Sequence, residues 1–247
     1  MNMAFFNGAV GAIQQQQRMN VQANNISNVN NYGFKAERAT FHHLMYGNVT
    51  GIDEERLPKG AGTKMAKASI DFSNDGYLET GRLFDFAIEG KGFFALFDPE
   101  SGEISYTRDG AFVMAYFPFD GGETEEGGLP DGEWRLSDNE GRCVLDGAGN
   151  FIVIDPQDQK AELELGVFDF LIYDGMLHAD SGRFIPIEKN GDLYMGGGTV
   201  RRGYIEVSNV DLSQEFIKVI ESQRAYSTAL RVVQTSDEIE QTINGLR

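Results

Sequence analysis

Apolar residues recur at helical spacing at both ends of this chain, whereas the middle alternates short apolar runs with turn residues. Because asparagine side chains compete for backbone hydrogen bonds, we expect the first helix to weaken through residues 28–31 and to end at Gly33. An isolated helix of this quality is marginal in water, so the pattern predicts that it needs a partner. Its stripe consists of small or apolar residues: Phe6, Ala9, Ile13, Met19, Ala23 and Ile26.

The C-terminal segment carries the stronger helical pattern, with spacings that alternate between four and three residues as in a coiled-coil seam. Asp211 or Ser213 can cap its start. The stripe is interrupted at Asp237 and resumes at a shifted phase over residues 239–246. Each terminal helix has one such stripe, so the two can cover each other as a parallel or an antiparallel pair. The seam positions are Leu212, Phe216, Val219, Gln223, Tyr226, Leu230 and Val233.

The middle of the chain reads as β structure. Turn signals such as Asn74-Asp75-Gly76 and Asp109-Gly110 separate runs of aromatic and aliphatic residues that suit half-buried strands. Before these strands, an arm anchored by Phe41, Leu44 and Tyr46 is expected to order on contact, and residues 118–133 are expected to form a mobile acidic loop. The predicted fold class is α+β: a mostly antiparallel β domain bracketed by N- and C-terminal helices. Its segments are an N-terminal helix at 1–35, a connecting arm at 36–68, a β domain at 69–205 and a C-terminal helix at 206–247.

Composition narrows the possible partners. The formal net charge is -17 and the sequence pI is about 4.5. Such a surface repels phosphate backbones and anionic lipids, so we expect no nucleic-acid partner. No apolar run approaches the length of a membrane span. Cys143 is the only cysteine, which excludes an internal disulfide and a cysteine-cluster metal site.

Motifs of enzyme chemistry are missing from the sequence. It has no nucleophile elbow, phosphate-binding loop or zinc-protease motif. The adjacent pair His42-His43 has poor geometry for a metal, and the glycines at 196–198 read as a flexible connector. We therefore expect no catalytic residue, no metal and no cofactor. Amides at near-helical spacing between Ala23 and Asn30 can instead fix the register of helices packed together.

Several motifs in a fixed order resemble those of the bacterial flagellar basal-body rod and hook proteins. The segment Ala23-Asn24-Asn25-Ile26-Ser27-Asn28-Val29-Asn30-Asn31-Tyr32-Gly33-Phe34-Lys35 is similar to the family's N-terminal signature, although the family usually has threonine or serine at the position of Asn31. The segments 203–212 and 222–226 resemble its C-terminal motifs, and the segments 85–94 and 106–112 resemble its strand motifs. From about residue 113 to residue 200 the similarity is weak.

The resemblance implies an exported axial structural protein without catalytic activity. Its partners would be copies of itself, other flagellar axial proteins of the rod and hook, and the flagellar type III export apparatus. It would polymerise through its terminal helices in the basal body, and its length favours a rod protein over the longer hook protein. The candidate interface residues are Asn24, Asn25, Ile26, Asn28, Gly33, Phe34, Asn209, Leu212, Phe216, Gln223, Arg224, Tyr226 and Leu230.

Two alternatives stay open at this point. A carbohydrate-binding or other ligand-binding β module with a dimerising coiled coil would bind a saccharide through its 69–205 region. A soluble coiled-coil adaptor would form a discrete dimer through residues 212–246. The ligand-binding alternative gives no reason for the terminal motifs, and a discrete dimer at all concentrations would favour the adaptor over an open polymer.

Overall fold

The chain folds into two compact units. The computed structural model describes residues 3–43, 47–50, 56–59, 63–118, 132–158 and 163–246. The terminal unit comprises residues 1–29, 36–71 and 210–247, and the β unit comprises residues 30–35 and 72–209. The polypeptide therefore crosses between the units four times, after residues 29, 35, 71 and 209. The sequence predicted four consecutive segments, whereas these two units are each made of separated segments. The division into four segments therefore stays a prediction.

The terminal unit is built on two long helices, α1 (Met3–Ser27) and α2 (Leu212–Gly245). Asp211 caps α2 by accepting hydrogen bonds from the backbone amides of Ser213 and Gln214 at 2.9 and 3.2 Å. The unit also contains β1 (Glu37–His43) paired antiparallel with β4 (Thr63–Ile70), and β2 (Gly47–Thr50) paired antiparallel with β3 (Arg56–Lys59). The described residues of the predicted arm, 36–68, thus contain β1, β2, β3 and the first six residues of β4, while the expected anchors Leu44 and Tyr46 lie outside the described residues.

The two helices run antiparallel. A Cβ atom added to Gly8 would lie 3.0 Å from Val233 and 3.2 Å from the carbonyl oxygen of Ala229, whereas Asn25 near the end of α1 reaches Glu215 near the start of α2. The α2 face turned toward α1 repeats every seven residues, which is the period of a coiled-coil seam. Small or polar residues occupy one of its two rows: Glu215, Ser222, Ala229 and Ser236.

The β unit is organised around one antiparallel sheet. The strands of this unit in the described residues are β5 (Tyr77–Glu79), β6 (Phe86–Glu89), β7 (Phe94–Phe97), β8 (Ile104–Thr107), β9 (Val113–Pro118), β10 (Gly132–Ser137), β11 (Cys143–Val144), β12 (Phe168–Phe170), β13 (Leu177–Ala179), β14 (Arg183–Ile185), β15 (Leu193–Met195), β16 (Thr199–Arg202) and β17 (Tyr204–Glu206). Seven of them form the sheet in the order β13-β14-β8-β7-β11-β10-β9, and the others pair as β12 with β15, β16 with β6 and β17 with β5. The core is aromatic and aliphatic, with Phe86, Phe94 and Leu136 almost fully buried.

The α+β architecture predicted from the sequence is confirmed, with an antiparallel β region flanked by an N-terminal and a C-terminal helix. Most of the predicted acidic loop, residues 119–131, lies outside the described residues, and its two ends at Pro118 and Gly132 are paired strand residues of β9 and β10. Neither helix, over its described length, contains an apolar stretch that could cross a membrane.

Candidate assembly interface

Asn25 has an intramolecular role in the terminal unit. Its side-chain amide donates to the carbonyl oxygen of Glu37 at 2.8 Å, and its carbonyl accepts from the Glu37 amide at 2.9 Å. The same amide nitrogen lies 3.4 Å from a carboxylate oxygen of Glu215 on α2. A buried asparagine thus pairs with the backbone of β1 and with the start of α2, because its amide offers two donors and an acceptor oxygen without charge.

The other predicted residues of the N-terminal motif are placed differently. Asn24 is exposed, and Ile26 and Asn28 are half-buried. The amide of Asn28 donates to the backbone carbonyl of Asn24 at 2.8 Å, which satisfies a carbonyl at the end of α1. Gly33 and Phe34 are buried in the β unit, where Gly33 has a φ of 65°.

Most of the predicted residues on α2 face outward. Leu212, Phe216 and Leu230 are exposed to 40%, 51% and 38%, and Gln223 and Arg224 are also exposed. Tyr226 is half-buried, in the second seven-residue row of the face toward α1, which also contains Val219 and Val233. Asn209 lies in the β unit and donates from its amide to the carbonyl oxygen of Ser73 at 3.1 Å.

The exposed apolar surface of the helices is larger than the sequence pattern indicated. A single a/d seam was assigned to α2, but its small residues turn inward and many of its large residues turn outward. The missed signal is the seven-residue repeat of Glu215, Ser222, Ala229 and Ser236, which marks a second stripe. Further large residues, exposed to between 38% and 58%, were not predicted as interface residues: Phe5, Phe6, Ile13, Ile217, Ile220, Ile239 and Ile243.

A buried ionic cluster joins three of the sequence motifs inside the β unit. The Lys35 ammonium and the Arg108 guanidinium both contact the Glu206 carboxylate, the latter at 3.1 Å. Lys35 and Glu206 are 0% exposed, so all three groups depend on one another for charge compensation. The ammonium also donates to the carbonyl oxygen of Ser73 at 2.8 Å, and the guanidinium donates to that of Gly90 at 2.9 Å.

Further contacts around this cluster also involve the segments that contain Lys35, Arg108 and Glu206. The Gly33 amide donates to the carbonyl oxygen of Glu206 at 2.8 Å. A Cβ atom at Gly33 would lie only 2.3 Å from the amide nitrogen of Asp109, so no larger residue fits there. Burial, followed by the nearby Glu206 carboxylate, raises the pKa of the Tyr77 phenol above its ordinary value. The N-terminal motif therefore extends from α1 into the β unit and ends at Lys35 in this buried ionic cluster.

A polar cavity of about 380 Å³ lies in the β unit beside this segment. Asn31 and Tyr32 form part of its wall, and Asp109, whose pKa is raised mainly by burial, forms another part. Arg142, on the same wall, is paired with Asp138 at 2.6 Å and with Glu140. Among the described residues, no group of three histidine, cysteine or acidic side chains is arranged to hold a metal.

Paired terminal helices with large apolar residues outside, together with a β unit that the N-terminal motif enters, define the class of a structural assembly subunit. Three family models match parts of the chain: flagella basal body rod protein over residues 7–35, flagellar hook protein FlgE/F/G D1 domain over 87–116, and flagellar basal body rod FlgEFG protein C-terminal over 201–246.

Full-length relatives give the same result. The chain is 32% identical to the flagellar basal-body rod protein FlgG of Buchnera aphidicola from Acyrthosiphon pisum, with 96% of each chain covered. It is 31% identical to that of Borreliella burgdorferi over 100% of this chain and 99% of the relative, and 29% identical to that of Bacillus subtilis over the full length of both. The chain belongs to the flagellar basal-body rod protein family, whose members are structural components of the basal body of the bacterial flagellum.

Asn25→Asp should destabilise the terminal unit by about 3–5 kcal/mol. The change removes two donated hydrogen bonds and places a second carboxylate beside Glu215. Chemical denaturation followed by helical circular dichroism measures the loss. Asn24→Asp, at an exposed position of the same helix, should stay within about 0.5 kcal/mol of wild type. Adding Glu215→Gln to Asn25→Asp should recover part of the loss, and no recovery would contradict the assigned contact.

Gly33→Ala should cost the β unit at least about 3 kcal/mol, because it combines a left-handed φ with backbone overlap. Gly81 is a matched control, since its φ is 66° and nothing lies within 4 Å of an added Cβ atom. Gly81→Ala should cost only about 1 kcal/mol, the penalty for the left-handed backbone alone. Urea titration of both variants, followed by tryptophan fluorescence, compares the two losses. Equal losses would show that the close approach to Asp109 does not matter.

Glu206→Gln should destabilise the β unit by about 3–5 kcal/mol, because it leaves two buried cations without their carboxylate. Asp174→Asn breaks an exposed pair with Lys189, and it should cost no more than about 1 kcal/mol. Thermal unfolding of both variants at neutral pH makes the comparison. A small loss for Glu206→Gln would rule out the buried cluster as a main stabilising contact.

Proposed function

We propose that this rod protein joins neighbouring axial subunits through the outward face of its terminal helix pair. One observation supports this above all others: one of the two rows of α2 that face α1 is small and polar, whereas large apolar side chains face outward. Leu212, Phe216, Ile217 and Ile220 at the start of the helix are exposed to between 40% and 58%. Each large side chain contributes about 1.5–3 kcal/mol when it is buried, so together they favour a helical partner strongly.

The close spacing of α1 and α2 supports the same proposal. Gly8 brings the backbones near each other at Ala229 and Val233, and the row containing Ser222 and Ser236 adds no bulk between them. Small residues let helices approach closely, and this leaves the larger residues for outer contacts. The candidates Gln223 and Arg224, next to this apolar surface, then supply polar contacts that select the register.

The contacts in this proposal are heterologous: one face of a subunit meets a different face of the next, so the assembly stays open. The partners are copies of this chain and other axial proteins of the rod and hook, and delivery through the flagellar export apparatus belongs to the same proposal. No catalytic step is part of it. The relatives carry the name of rod proteins, and a saccharide-binding role has no observation in its favour.

Phe216→Asp with Ile220→Asp tests the proposal. Two charges on the outer face should lower incorporation into basal bodies at least about tenfold, while leaving the α1–α2 contacts in place. The matched control adds the same charges at exposed polar positions of the β unit, as Ser101→Asp with Gln157→Asp. The readouts are incorporation into purified basal bodies and motility of a strain lacking the native protein. Normal incorporation of the Phe216/Ile220 variant would overturn the proposal, and a discrete dimer of the wild type at all concentrations would favour an adaptor instead.

A further inference from the structure

The β unit contains a cavity that the proposed assembly contact does not use. Its volume is about 380 Å³, and all of its lining residues belong to the β unit. Amides and hydroxyl groups form much of its polar wall, and aromatic rings form part of the remainder. The wall carries three carboxylates but only one cation: Asp109, Asp138, Glu140 and Arg142. The cavity is therefore polar, negatively charged and of a size that small ligands occupy.

Asp109 is the carboxylate of this wall that has no cation. Arg142 pairs with Asp138 at 2.6 Å and with Glu140. One oxygen of Asp109 accepts a hydrogen bond from the Ala111 amide at 3.0 Å, and no cation of the described residues forms an ion pair with it. Burial raises the pKa of this carboxyl, the Ala111 hydrogen bond lowers it, and the Asp138 carboxylate raises it again. A cation that enters the cavity would therefore meet a carboxylate whose charge is uncompensated.

A buried hydroxyl group beside the cavity also lacks a partner. Ser105 is 3% exposed, and it stands opposite Leu96 and two residues before Thr107 on β8. Side chains at these positions share one face of the sheet, and Leu96 and Thr107 both line the cavity. The Ser105 hydroxyl oxygen has no hydrogen-bond partner among the described residues. Because buried polar groups are normally satisfied, this hydroxyl points to a polar occupant beside it.

Aromatic rings on the wall favour a flat cation. Tyr32 and Phe34 line the cavity, and Tyr32 is 42% exposed, so solvent reaches it. A guanidinium group stacks on aromatic faces, and its donors lie in one plane that matches a carboxylate. An ammonium group is more strongly hydrated and has no such plane. The amide oxygens of Asn30 and Asn139, on the same wall, are acceptors for the other guanidinium donors.

We propose that this cavity binds the guanidinium group of an arginine, with Asp109 as its carboxylate partner and Tyr32 against its plane. The group comes either from an arginine side chain of a protein partner or from a free guanidinium compound. Both sources bring a positive charge to a chain whose net charge is -17, so attraction favours their approach. Because Asn31 and Tyr32 belong to the segment that leads to Lys35, an occupant would also contact the residues that precede the buried ionic cluster.

Calorimetric titration of the full chain with two probes tests the site. The capped peptide acetyl-Gly-Arg-Gly-amide represents a partner's arginine, and agmatine represents a free guanidinium compound. Binding of the peptide more tightly than agmatine would assign a protein partner, and the reverse order would assign the free compound. The same peptide with citrulline in place of arginine keeps the shape without the charge, and it should bind at least about tenfold more weakly. Equal binding of the citrulline peptide, or binding of neither probe, would overturn the inference.

Asp109→Asn separates a loss of the site from a loss of the fold. The new side-chain oxygen still accepts from the Ala111 amide, and an uncharged group is easier to bury, so the variant should unfold no earlier than wild type at neutral pH. Its affinity for the tighter probe should fall at least about tenfold. Asp146→Asn is the matched control, because Asp146 accepts from the Ala148 amide at 2.8 Å in a similar turn outside the cavity, and it should bind like wild type. Unchanged affinity of a folded Asp109→Asn variant would contradict the assigned site.

Discussion

The buried contact of Lys35 and Arg108 with Glu206 is the interaction on which the β unit most depends. These groups come from three separated stretches of sequence, and burial makes each charge costly unless the others are in place. The same site includes Ser73, whose carbonyl oxygen accepts from Lys35 and from Asn209. Lys35 and Asn209 are the residues at which the chain leaves the β unit, and Ser73 is the second residue after the chain re-enters it. This polar cluster thus fixes, within the β unit, the positions of three of the four points at which the chain crosses between the units.

The terminal unit differs from the β unit because many of its large apolar side chains lie on the outer surface of its helices. A monomeric helix pair normally buries its largest residues in the seam. Here Phe216 and Ile243 are more than half exposed, while Ser222 and Ser236 are buried. Such a pair keeps a defined register through close backbone contact and through Asn25, and it leaves large apolar side chains exposed. These exposed side chains are the ones that the proposed assembly contact would bury.

The sequence predicted the positions of the helices and of the β region better than it predicted which side of α2 faces α1. The local sequence pattern located both helices, the β character of the middle and, in Asp211, one of the two candidate caps of α2. It assigned Leu212 and Leu230 to the same seam as Val219 and Val233, although the former turn outward. A helix with two apolar or small stripes fits more than one seam, and only the partner's shape decides between them. The ionic cluster was out of reach for another reason: nothing local in the sequence pairs Lys35 with Glu206.

Gly33, in the N-terminal motif, combines a local backbone conformation with a close contact to a distant part of the sequence. Read alone, Gly33 predicts the end of the first helix, but this prediction was wrong, because α1 ends six residues earlier, at Ser27. Its left-handed backbone serves another purpose, since it lets the chain pass against Asp109 and brings Lys35 to Glu206. Removing residues 1–35 would therefore take a buried cation out of the β unit together with α1. A deletion ending at Ser27 separates the two roles, because it removes the helix and keeps the residues that complete the β core.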